Sequence, residues 1–296
     1  MTKREKHTNG STRNASDCSW RFLVTGADGG AWNMAVDEAL LESVIEGHPP
    51  CLRLYAWEPP AVSLGYFQAL DENIDEDEIK RRGFGLVRRP TGGRAILHKD
   101  EITYSVVVRQ SDIEGGESLM GSYRTISRGI EQGLRVLGVG AELADHSGKD
   151  GQESRHSLPT VCFGQSARVD MVAAGRKIVG SAQTRRKGAI LQHGSIPISI
   201  DVTEHIAVMP GGIDGTAAVE AGAQMLQEAA CGLADILGHR PTFDQLVENI
   251  SHGFAEALGI TLQITEPTQV EMETARDLLE QKYGSESWTR RTPRRG

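Results

Sequence analysis

The chain has 296 residues, of which 39% are hydrophobic and 24% are charged, and its formal net charge is −8. This composition is typical of globular proteins and excludes collagen, coiled coils and low-complexity proteins. The acidic excess does not favour general binding to nucleic acid or to anionic membranes. No apolar run approaches the roughly 18 residues that cross a bilayer, and residues 1–17 are too polar for a signal peptide, so we expect a cytoplasmic protein.

The four cysteines lie far apart and form no CxxC pair. This spacing indicates neither a zinc site nor a disulfide framework, and we expect reduced thiols. The cysteines are Cys18, Cys51, Cys162 and Cys231.

Hydrophobic patterns predict a first series of strands and helices. Pro59 and Pro60 separate two short apolar runs, which we interpret as the strands of a hairpin. The run after them is acidic and is predicted to be an exposed helix. In chain order the predicted elements are a strand at Arg21–Val24, a helix from Asn33, strands at Leu52–Trp57 and Ala61–Leu64, a helix at Asp71–Arg82 and an extended segment at Phe84–Arg88.

The second series indicates an α+β fold. A half-buried strand, a helix closed by Gly138 and a β meander are followed by mainly helical patterns. Because strands and helices are grouped, we expect a mixed, mostly antiparallel sheet flanked by helices. These elements are predicted at Ile102–Val108, Ser118–Leu137, Ala167–Ile200 (the meander), Ala217–Leu237, Phe243–Leu258, Ile260–Ile264 (a strand) and Gln269–Tyr283.

A glycine pair, Gly92 and Gly93, follows two arginines and precedes Arg94. Glycine lets backbone amides approach a ligand, and arginine neutralises anions, so this turn is a candidate binding loop. The alternative is an ordinary tight hairpin with solvated arginines. The segment matches neither the P-loop nor the GxGxxG pattern. His98 lies five residues further on and is either part of such a site or an ordinary histidine.

Cys162 follows a long polar loop, Asp145–Pro159, and precedes a predicted strand. A lone cysteine is often only a small buried hydrophobe, but a loop that enters a sheet is a suitable position for a nucleophile. Lys177 follows the next predicted turn, and an ammonium group close to a thiol favours the thiolate. The two residues are therefore a candidate dyad for acyl transfer, the alternative for Lys177 being a surface lysine.

Five sequence strings resemble the lipoate and biotin protein ligase superfamily, and within it most closely the octanoyltransferases of the LipM type. The similarity runs from about Trp32 to Ile200, and the helical tail from Glu280 to Trp288 also resembles that group. The strings are Arg88–His98, Glu101–Val106, Val161–Phe163, Lys177–Gln183 and Gln192–Ser195.

The resemblance implies a role for individual residues. Cys162 corresponds to the acyl-thioester nucleophile, and Lys177 to the lysine that lowers the pKa of the thiol and contacts the acyl carbonyl. ATP-using ligases of this superfamily tend to have a third glycine and no such cysteine, so Arg94 and Cys162 favour transfer from a thioester, without metal or cofactor. The implied substrate-binding residues are Arg89, Gly92, Gly93, Arg94, His98, Gly180, Ser181 and Ala182.

The implied domain organisation is a basic disordered leader at 1–19, a catalytic acyltransferase domain at 20–258, and a C-terminal strand, helix and basic tail at 259–296. The implied reaction moves octanoyl from acyl carrier protein to a lysine of a lipoyl domain, such as the glycine cleavage H protein or a 2-oxoacid dehydrogenase E2. The alternatives are an ATP-dependent lipoate-protein ligase, a lipoyl-domain amidotransferase and a non-catalytic protein that binds the carrier domain.

Both protein partners are usually acidic, so we predict a basic docking cluster, unless these side chains are scattered over different faces. The candidates are Arg81, Arg82, Arg88, Arg89, Arg94, Arg185, Arg186 and Lys187.

Overall fold

The computed structural model describes residues 18–71, 73–145, 169–211 and 216–291. The strands are β1 (Ser19–Asp28), β2 (Cys51–Trp57), β3 (Ala61–Leu64), β4 (Gly85–Arg88), β5 (Ile96–His98), β6 (Glu101–Arg109), β7 (Ala141–Asp145), β8 (Val169–Ala173), β9 (Arg176–Arg186), β10 (Ala189–Pro197) and β11 (Thr261–Ile264). The helices are α1 (Gly30–Ile45), α2 (Glu76–Arg81), α3 (Leu119–Val136), α4 (Val202–Val208), α5 (Thr216–Ala229), α6 (Leu233–Leu237), α7 (Phe243–Leu258), α8 (Gln269–Leu278) and α9 (Glu286–Thr289).

The strands form a large mixed sheet and a small one. The large sheet has the order β11-β1-β2-β6-β10-β9-β8-β7, in which β1 is parallel to both neighbours and the remaining pairs are antiparallel. The small sheet has the order β4-β3-β5. The predicted α+β class with a mixed, mostly antiparallel sheet is confirmed.

Helices cover both faces of the large sheet. On one face α3 and α7 pack against Leu54, Tyr104 and other alternate residues of β2 and β6. These helices approach so closely that a Cβ on Gly253 would lie 2.1 Å from the Gly133 nitrogen. On the other face α1 and α8 pack against Tyr55 and its neighbours. The central strands are therefore buried on both faces, whereas the alternation in β6 predicted a half-buried strand.

The predicted hairpin of β2 and β3 is wrong. Both edges of β2 are occupied, by β1 on one side and β6 on the other, so β3 cannot pair with it. Instead β3 lies in the small sheet between β4 and β5, and the segment from Arg88 to Arg94 joins strands on opposite sides of β3 rather than closing a hairpin.

The helix predicted at Ala217–Leu237 is interrupted between α5 and α6. There the Cys231 amide donates to the Lys177 carbonyl at 2.9 Å, and a Cβ on Gly232 would lie 2.5 Å from the Ile198 carbonyl oxygen. The backbone is therefore not helical at these residues and forms a hydrogen bond with β9 instead. The sequence patterns also missed β7 and α4, and they overestimated α2, which begins only after its capping residue Asp75.

The described residues beyond 258 contribute to the same sheet and core. Strand β11 pairs with β1, and Ala275 of α8 packs in the cluster that includes α1. The division into domains at this point, and the disordered leader, stay predictions. No described helix is long and apolar enough to span a bilayer.

Candidate functional site

A cavity of about 270 Å³ lies between the α1 side of the large sheet and the small sheet. Strands β2, β6, β9 and β10 line it from the large sheet, and β3, β5 and the segment before β5 line it from the small sheet. A cavity of this size, with mainly apolar walls and a few polar groups, is typical of a small-molecule site.

One cross-strand row forms much of the cavity floor. In the strand register Tyr55 pairs with Thr103, Thr103 with Ser195, and Ser195 with Gly180, and all four residues line the cavity. The row therefore runs across the cavity from β2 to β9.

The Glu101 carboxylate, which is 6% exposed, binds the two middle members of this row. It accepts hydrogen bonds from His98 Nδ1 at 2.8 Å, Thr103 Oγ1 at 2.5 Å and Ser195 Oγ at 2.5 Å. Trp57 Nε1 donates to Thr103 Oγ1 at 2.8 Å, and the His98 ring stacks on the Trp57 indole with centroids 3.9 Å apart. One buried carboxylate thus fixes four side chains that line the cavity.

A second carboxylate, Asp37, is buried beneath the cavity. It accepts from Arg53 Nη1 at 2.7 Å, from Tyr55 Oη at 3.0 Å and from His193 Nδ1 at 3.0 Å. Burial alone would raise the pKa of Asp37, but Arg53 and His193 keep that pKa below its usual value. Burial lowers the pKa of His193, so its ring is neutral at neutral pH and Nε2 accepts from Thr91 Oγ1 at 2.6 Å.

The Arg89 side chain holds the loop between β4 and β5. Its guanidinium donates to the carbonyls of Ser63, Gly92 and Arg94 at 2.7 to 3.2 Å, and also to Ser63 Oγ at 3.0 Å. Gly93 has φ +91°, and a Cβ there would lie 2.7 Å from Arg89 Nη2, so the loop requires glycine at this position. The exposed Arg94 side chain lies at the cavity rim.

Arg88, next in sequence to Arg89, is fully buried and points away from the cavity wall. Backbone carbonyls from two distant segments surround its guanidinium, and burial lowers the pKa of this group. Its acceptors are the carbonyls of Gly65, Tyr66, Gln68, Trp288, Thr289 and Arg291. The Trp288 indole in turn donates to the Arg88 carbonyl at 2.9 Å.

Lys177 lies near the beginning of β9 and lines the cavity. Its side chain is 12% exposed, and Nζ lies 2.9 Å from Asp170 Oδ1. Nearby, Ser181 Oγ lies 2.7 Å from Tyr104 Oη, and a Cβ on Gly194 would lie 2.7 Å from Ser181 Oγ. Gly194 is thus closely packed against Ser181, and both residues line the cavity together with Lys177.

Most of the predicted site residues line this one cavity: Arg89, Gly93, Arg94, His98, Lys177, Gly180, Ser181 and Ala182. Gly92 is not among the lining residues and contributes its carbonyl to Arg89. Cys162 and residues 146–159 of the polar loop lie outside the described residues. Of the described cysteines, Cys51 and Cys231 are buried, and burial raises the pKa of Cys51 to about 12.

Two of the eight candidates for the basic docking cluster, Arg88 and Arg89, are wrong. Arg88 and Arg89 are buried, so neither can meet a protein partner. Arg81 and Arg82 pair with Glu78, and Arg186 pairs with Glu38 and Glu42. Sequence patterns could not separate buried arginines from solvated ones.

The sequence analysis missed the lining residues Tyr55, Trp57, Ser63, Thr103 and His193, and the buried carboxylates behind them. The available signal was polar residues two positions apart in otherwise apolar strands, as at Glu101, Thr103 and Ser105 of β6 and at His193 and Ser195 of β10. In a strand that is buried on both faces, such residues must face a hydrogen-bonding partner or a cavity. Among the described residues, no group of three or more His, Cys, Asp or Glu side chains is arranged to hold a metal ion.

Residues 30–255 match the family model of the lipoyl protein ligase A/B catalytic domain. The chain belongs to this family. The lipoyl ligase A/B chain is 42% identical over 274 residues to the octanoyltransferase LipM of Kyrpidia tusciae, with 92% of this chain and 99% of the relative covered. It is 39% identical to the LipM of Staphylococcus aureus, with 91% and 98% covered.

Solved structures of the family share the fold. A structure from a study of a bipartite lipoate protein ligase and its E2 lipoyl domain from Thermoplasma acidophilum has a TM-score of 0.76 and 26% identity, over 94% of this chain and 98% of that one. A lipoate-protein ligase A bound with ATP has a TM-score of 0.74 and 27% identity, over 93% and 100%. The predicted lipoate-ligase-like fold is therefore confirmed.

Proposed function

We propose that this protein is an octanoyltransferase of lipoate biosynthesis, which moves an octanoyl group through a thioester on Cys162 to a lysine of a lipoyl domain. The observation that carries the proposal is the cavity lined by the Arg89 to Arg94 loop, His98 and Lys177, in a chain 42% identical to an octanoyltransferase over 92% of its length.

In the first half-reaction the Cys162 thiolate attacks the carbonyl carbon of the donor thioester. A new carbon–sulfur bond forms, the bond to the donor sulfur breaks, and the donor leaves as a thiolate that takes up a proton. The acyl group is already activated in the donor, so this exchange needs no ATP.

In the second half-reaction the neutral ε-amine of the acceptor lysine attacks the acyl-enzyme. The carbon–nitrogen bond of the amide forms, the Cys162 sulfur leaves as a thiolate, and the amine loses a proton. The Lys177 ammonium stabilises this thiolate when both groups face the cavity, and Asp170 orients the ammonium.

Acyl carrier protein is the proposed donor, and a lipoyl domain of an H protein or an E2 subunit is the proposed acceptor. An acceptor of this class is supported by the related bipartite lipoate protein ligase, which was studied together with its E2 lipoyl domain. The mainly apolar cavity suits a saturated acyl group, for which each buried methylene contributes about 0.8 kcal/mol.

Intact mass spectrometry after incubation with an octanoyl thioester tests this function. We expect one octanoyl adduct on the wild-type protein without ATP, none on Cys162→Ala, and an unchanged adduct on Cys231→Ala, which removes a buried thiol. An adduct that persists in Cys162→Ala would contradict the role of Cys162 and indicate another nucleophile. Transfer that requires ATP would contradict the proposal and favour a ligase.

A further inference from the structure

Three aromatic side chains, Tyr66, Phe67 and Trp288, form one patch on the surface, which we call the aromatic patch. The ring centroids of Tyr66 and Phe67 lie 4.7 Å apart, and those of Tyr66 and Trp288 lie 5.9 Å apart. Phe67 is 62% exposed, and the other two residues are partly exposed. Among the large hydrophobic side chains that are exposed in the described part of the chain, Phe67 is the only aromatic one. The patch thus differs from the single apolar residues that are scattered over an ordinary protein surface.

The backbone that carries Phe67 is held from inside the molecule. The buried Arg88 guanidinium donates to three carbonyls of this loop, those of Gly65, Tyr66 and Gln68. The guanidinium of Arg291 lies between the other two rings of the patch, 3.8 Å from each ring centroid. A side chain on a fixed support loses little conformational freedom when a partner binds, which favours affinity.

The aromatic patch lies next to the rim of the cavity. A Cβ on Gly65 would lie 1.8 Å from the Gly93 carbonyl oxygen, and Gly93 is an exposed residue that lines the cavity. Because consecutive Cα atoms are about 3.8 Å apart, Phe67 Cα lies within about 11 Å of that oxygen. A standard protein interface covers about 800 Å² on each partner, the area of a disc of about 16 Å radius. A protein that binds over this rim therefore covers Phe67.

Of the two proposed protein substrates, the acceptor is the one that has to bind over the rim. Its lysine side chain reaches only about 6 Å from Cα to Nζ, so the acceptor backbone has to come that close to the acyl carbonyl. An acyl carrier protein holds the acyl group on a long flexible arm and can stay further away. Residues 65–70 and 91–94 include no Asp or Glu, and Arg94 is exposed among them, which suits an acidic acceptor domain.

We infer that the aromatic patch is the docking surface for the acceptor lipoyl domain, with Phe67 as its anchor. The inference rests on the proposed function, since it takes the acceptor to be a protein domain. It assigns recognition of the acceptor to a surface outside the cavity. Aromatic side chains are enriched among the few interface residues that carry most of the binding free energy.

The test compares kcat/KM for octanoyl transfer to a purified lipoyl domain. We expect about a 30-fold decrease in Phe67→Ala, mostly through KM, because the variant removes the anchor. Phe67→Tyr keeps the ring and should stay within about twofold of wild type. Two reactions that involve no docked domain should be unchanged in both variants. These are adduct formation from octanoyl N-acetylcysteamine thioester and transfer from that adduct to a short lysine peptide.

Leu119→Ala is the matched control. Leu119 is 56% exposed, close to the value for Phe67, and it begins α3, which covers the face of the large sheet opposite to the cavity. We expect this variant to keep the wild-type kcat/KM for the lipoyl domain. Because both side chains are largely exposed, Phe67→Ala and Leu119→Ala should unfold at the same denaturant concentration as wild type.

The outcomes separate this inference from the proposed function. A wild-type protein that forms the adduct and transfers it to the domain, with equal kcat/KM in Phe67→Ala, would overturn the docking surface alone. An equal decrease in Leu119→Ala, or with the short peptide, would also overturn it, because the effect would not come from docking. A decrease only with acyl carrier protein as the donor, or a wild-type dimer that Phe67→Ala separates, would assign the patch to another partner and overturn it. A wild-type protein that takes no acyl group would overturn both.

Discussion

Three buried histidines lie near the cavity, and their surroundings give them different roles. His98 and His193 each bind a carboxylate through Nδ1 and a hydroxyl through Nε2. His205 of α4 is 5% exposed, and its Nε2 has no hydrogen-bond partner among the described residues. Burial, and secondarily the nearby His98, lowers the pKa of His205 to about 4. The His205 ring is therefore hard to protonate in the folded state, and its Nε2 holds no neighbouring side chain in place.

His205→Leu should make the protein less sensitive to acid. The ordinary pKa of 6.5 applies when the chain is unfolded and about 4 when it is folded, so the unfolded state binds more protons as the pH falls. The contribution of the neutral His205 ring to the free energy of unfolding is fully present above pH 6.5 and is lost as the pH falls toward 4. At pH 5 the wild type should lose about 2 kcal/mol through this group, and the variant should not.

Urea unfolding at pH 7.5 and pH 5 measures this difference. His252→Leu is the control, because that side chain is 61% exposed, and it should keep the wild-type pH dependence. The explanation fails if His205→Leu and wild type lose equal stability between the two pH values.

Lys177→Ala should slow the alkylation of Cys162 by iodoacetamide at pH 7 by about tenfold. Loss of the ammonium removes a charge that favours the thiolate, and it leaves the buried Asp170 carboxylate, which disfavours the thiolate. Lys177→Arg keeps a positive charge and should restore part of the rate, but not the contact geometry.

Mass spectrometry of the cysteine peptides resolves this alkylation. Cys51 and Cys231 are buried and serve as internal standards that should stay unmodified in all variants. If Cys162 reacts at the wild-type rate in both lysine variants, the two residues are not neighbours.

At the scale of elements, the loop between β4 and β5 allows a matched comparison of its two glycines. Gly93→Ala places a side chain at φ +91° and 2.7 Å from Arg89 Nη2. Gly92 does not have such a φ, and a Cβ there would meet no atom within 4 Å. We expect Gly93→Ala to lower the free energy of unfolding by about 1 to 3 kcal/mol and Gly92→Ala by much less.

Denaturant unfolding of both variants measures the two losses in the free energy of unfolding. We also expect kcat/KM for the octanoyl donor to fall more in Gly93→Ala than in Gly92→Ala. Equal losses in the free energy of unfolding would mean that the loop adapts to either side chain and that Arg89 does not fix its conformation.

Hydrophobic patterns predicted the existence of most elements but not their partners. The β8 to β10 meander was predicted well, because short turns join strands that pair with each other. Proximity in sequence failed for β2 and β3, where a distant strand, β6, occupies the edge. The sequence from Ala230 to Gly232 continues an apolar pattern typical of a helix. Only the contact with Lys177 in the structure shows that the helix is interrupted there.

The candidate site was predictable only in part, for a related reason. Family resemblance indicated the loop, His98, Lys177 and the small residues of β9. The carboxylates Glu101 and Asp37 act through other side chains, and a sequence without the strand register does not indicate which side chains meet. Adjacent arginines gave no signal that Arg89 faces the cavity loop and Arg88 the opposite side.

At the scale of the whole molecule, residues near the two ends of the described chain contact each other, and residues 288–291 also contact a segment beside the cavity loop. β11 extends the large sheet beside β1, and Arg21 binds Glu271 through two hydrogen bonds. Arg88 binds both the loop after β3 and residues 288–291. The loop after β3 in turn meets the cavity loop, since the Tyr66 amide donates to the Thr91 carbonyl at 2.8 Å.

Deletion of residues 285–296 should therefore weaken both stability and substrate binding. The buried Arg88 guanidinium would lose several of its acceptors, at a cost of about 3 kcal/mol. Because the cavity loop would lose its support, we expect KM for the octanoyl donor to rise more than kcat falls.

Deletion of residues 292–296 alone is the control, since it retains the contacts of Trp288 to Arg291. Thermal unfolding and steady-state kinetics of both truncated proteins measure the effects. Equal behaviour of the two would show that the segment at 285–291 does not support the cavity.

Some of the carbonyls that accept hydrogen bonds from Arg88 are made much later than Arg88 during protein synthesis. The last of them, on Arg291, is 203 residues further along the chain. At about 5 to 20 residues per second, a ribosome needs on the order of 10 to 40 s to translate that interval. We expect the Arg88 guanidinium of the nascent chain to stay hydrated until these residues have been made. We therefore expect that a stalled nascent chain lacking these residues handles acyl thioesters poorly.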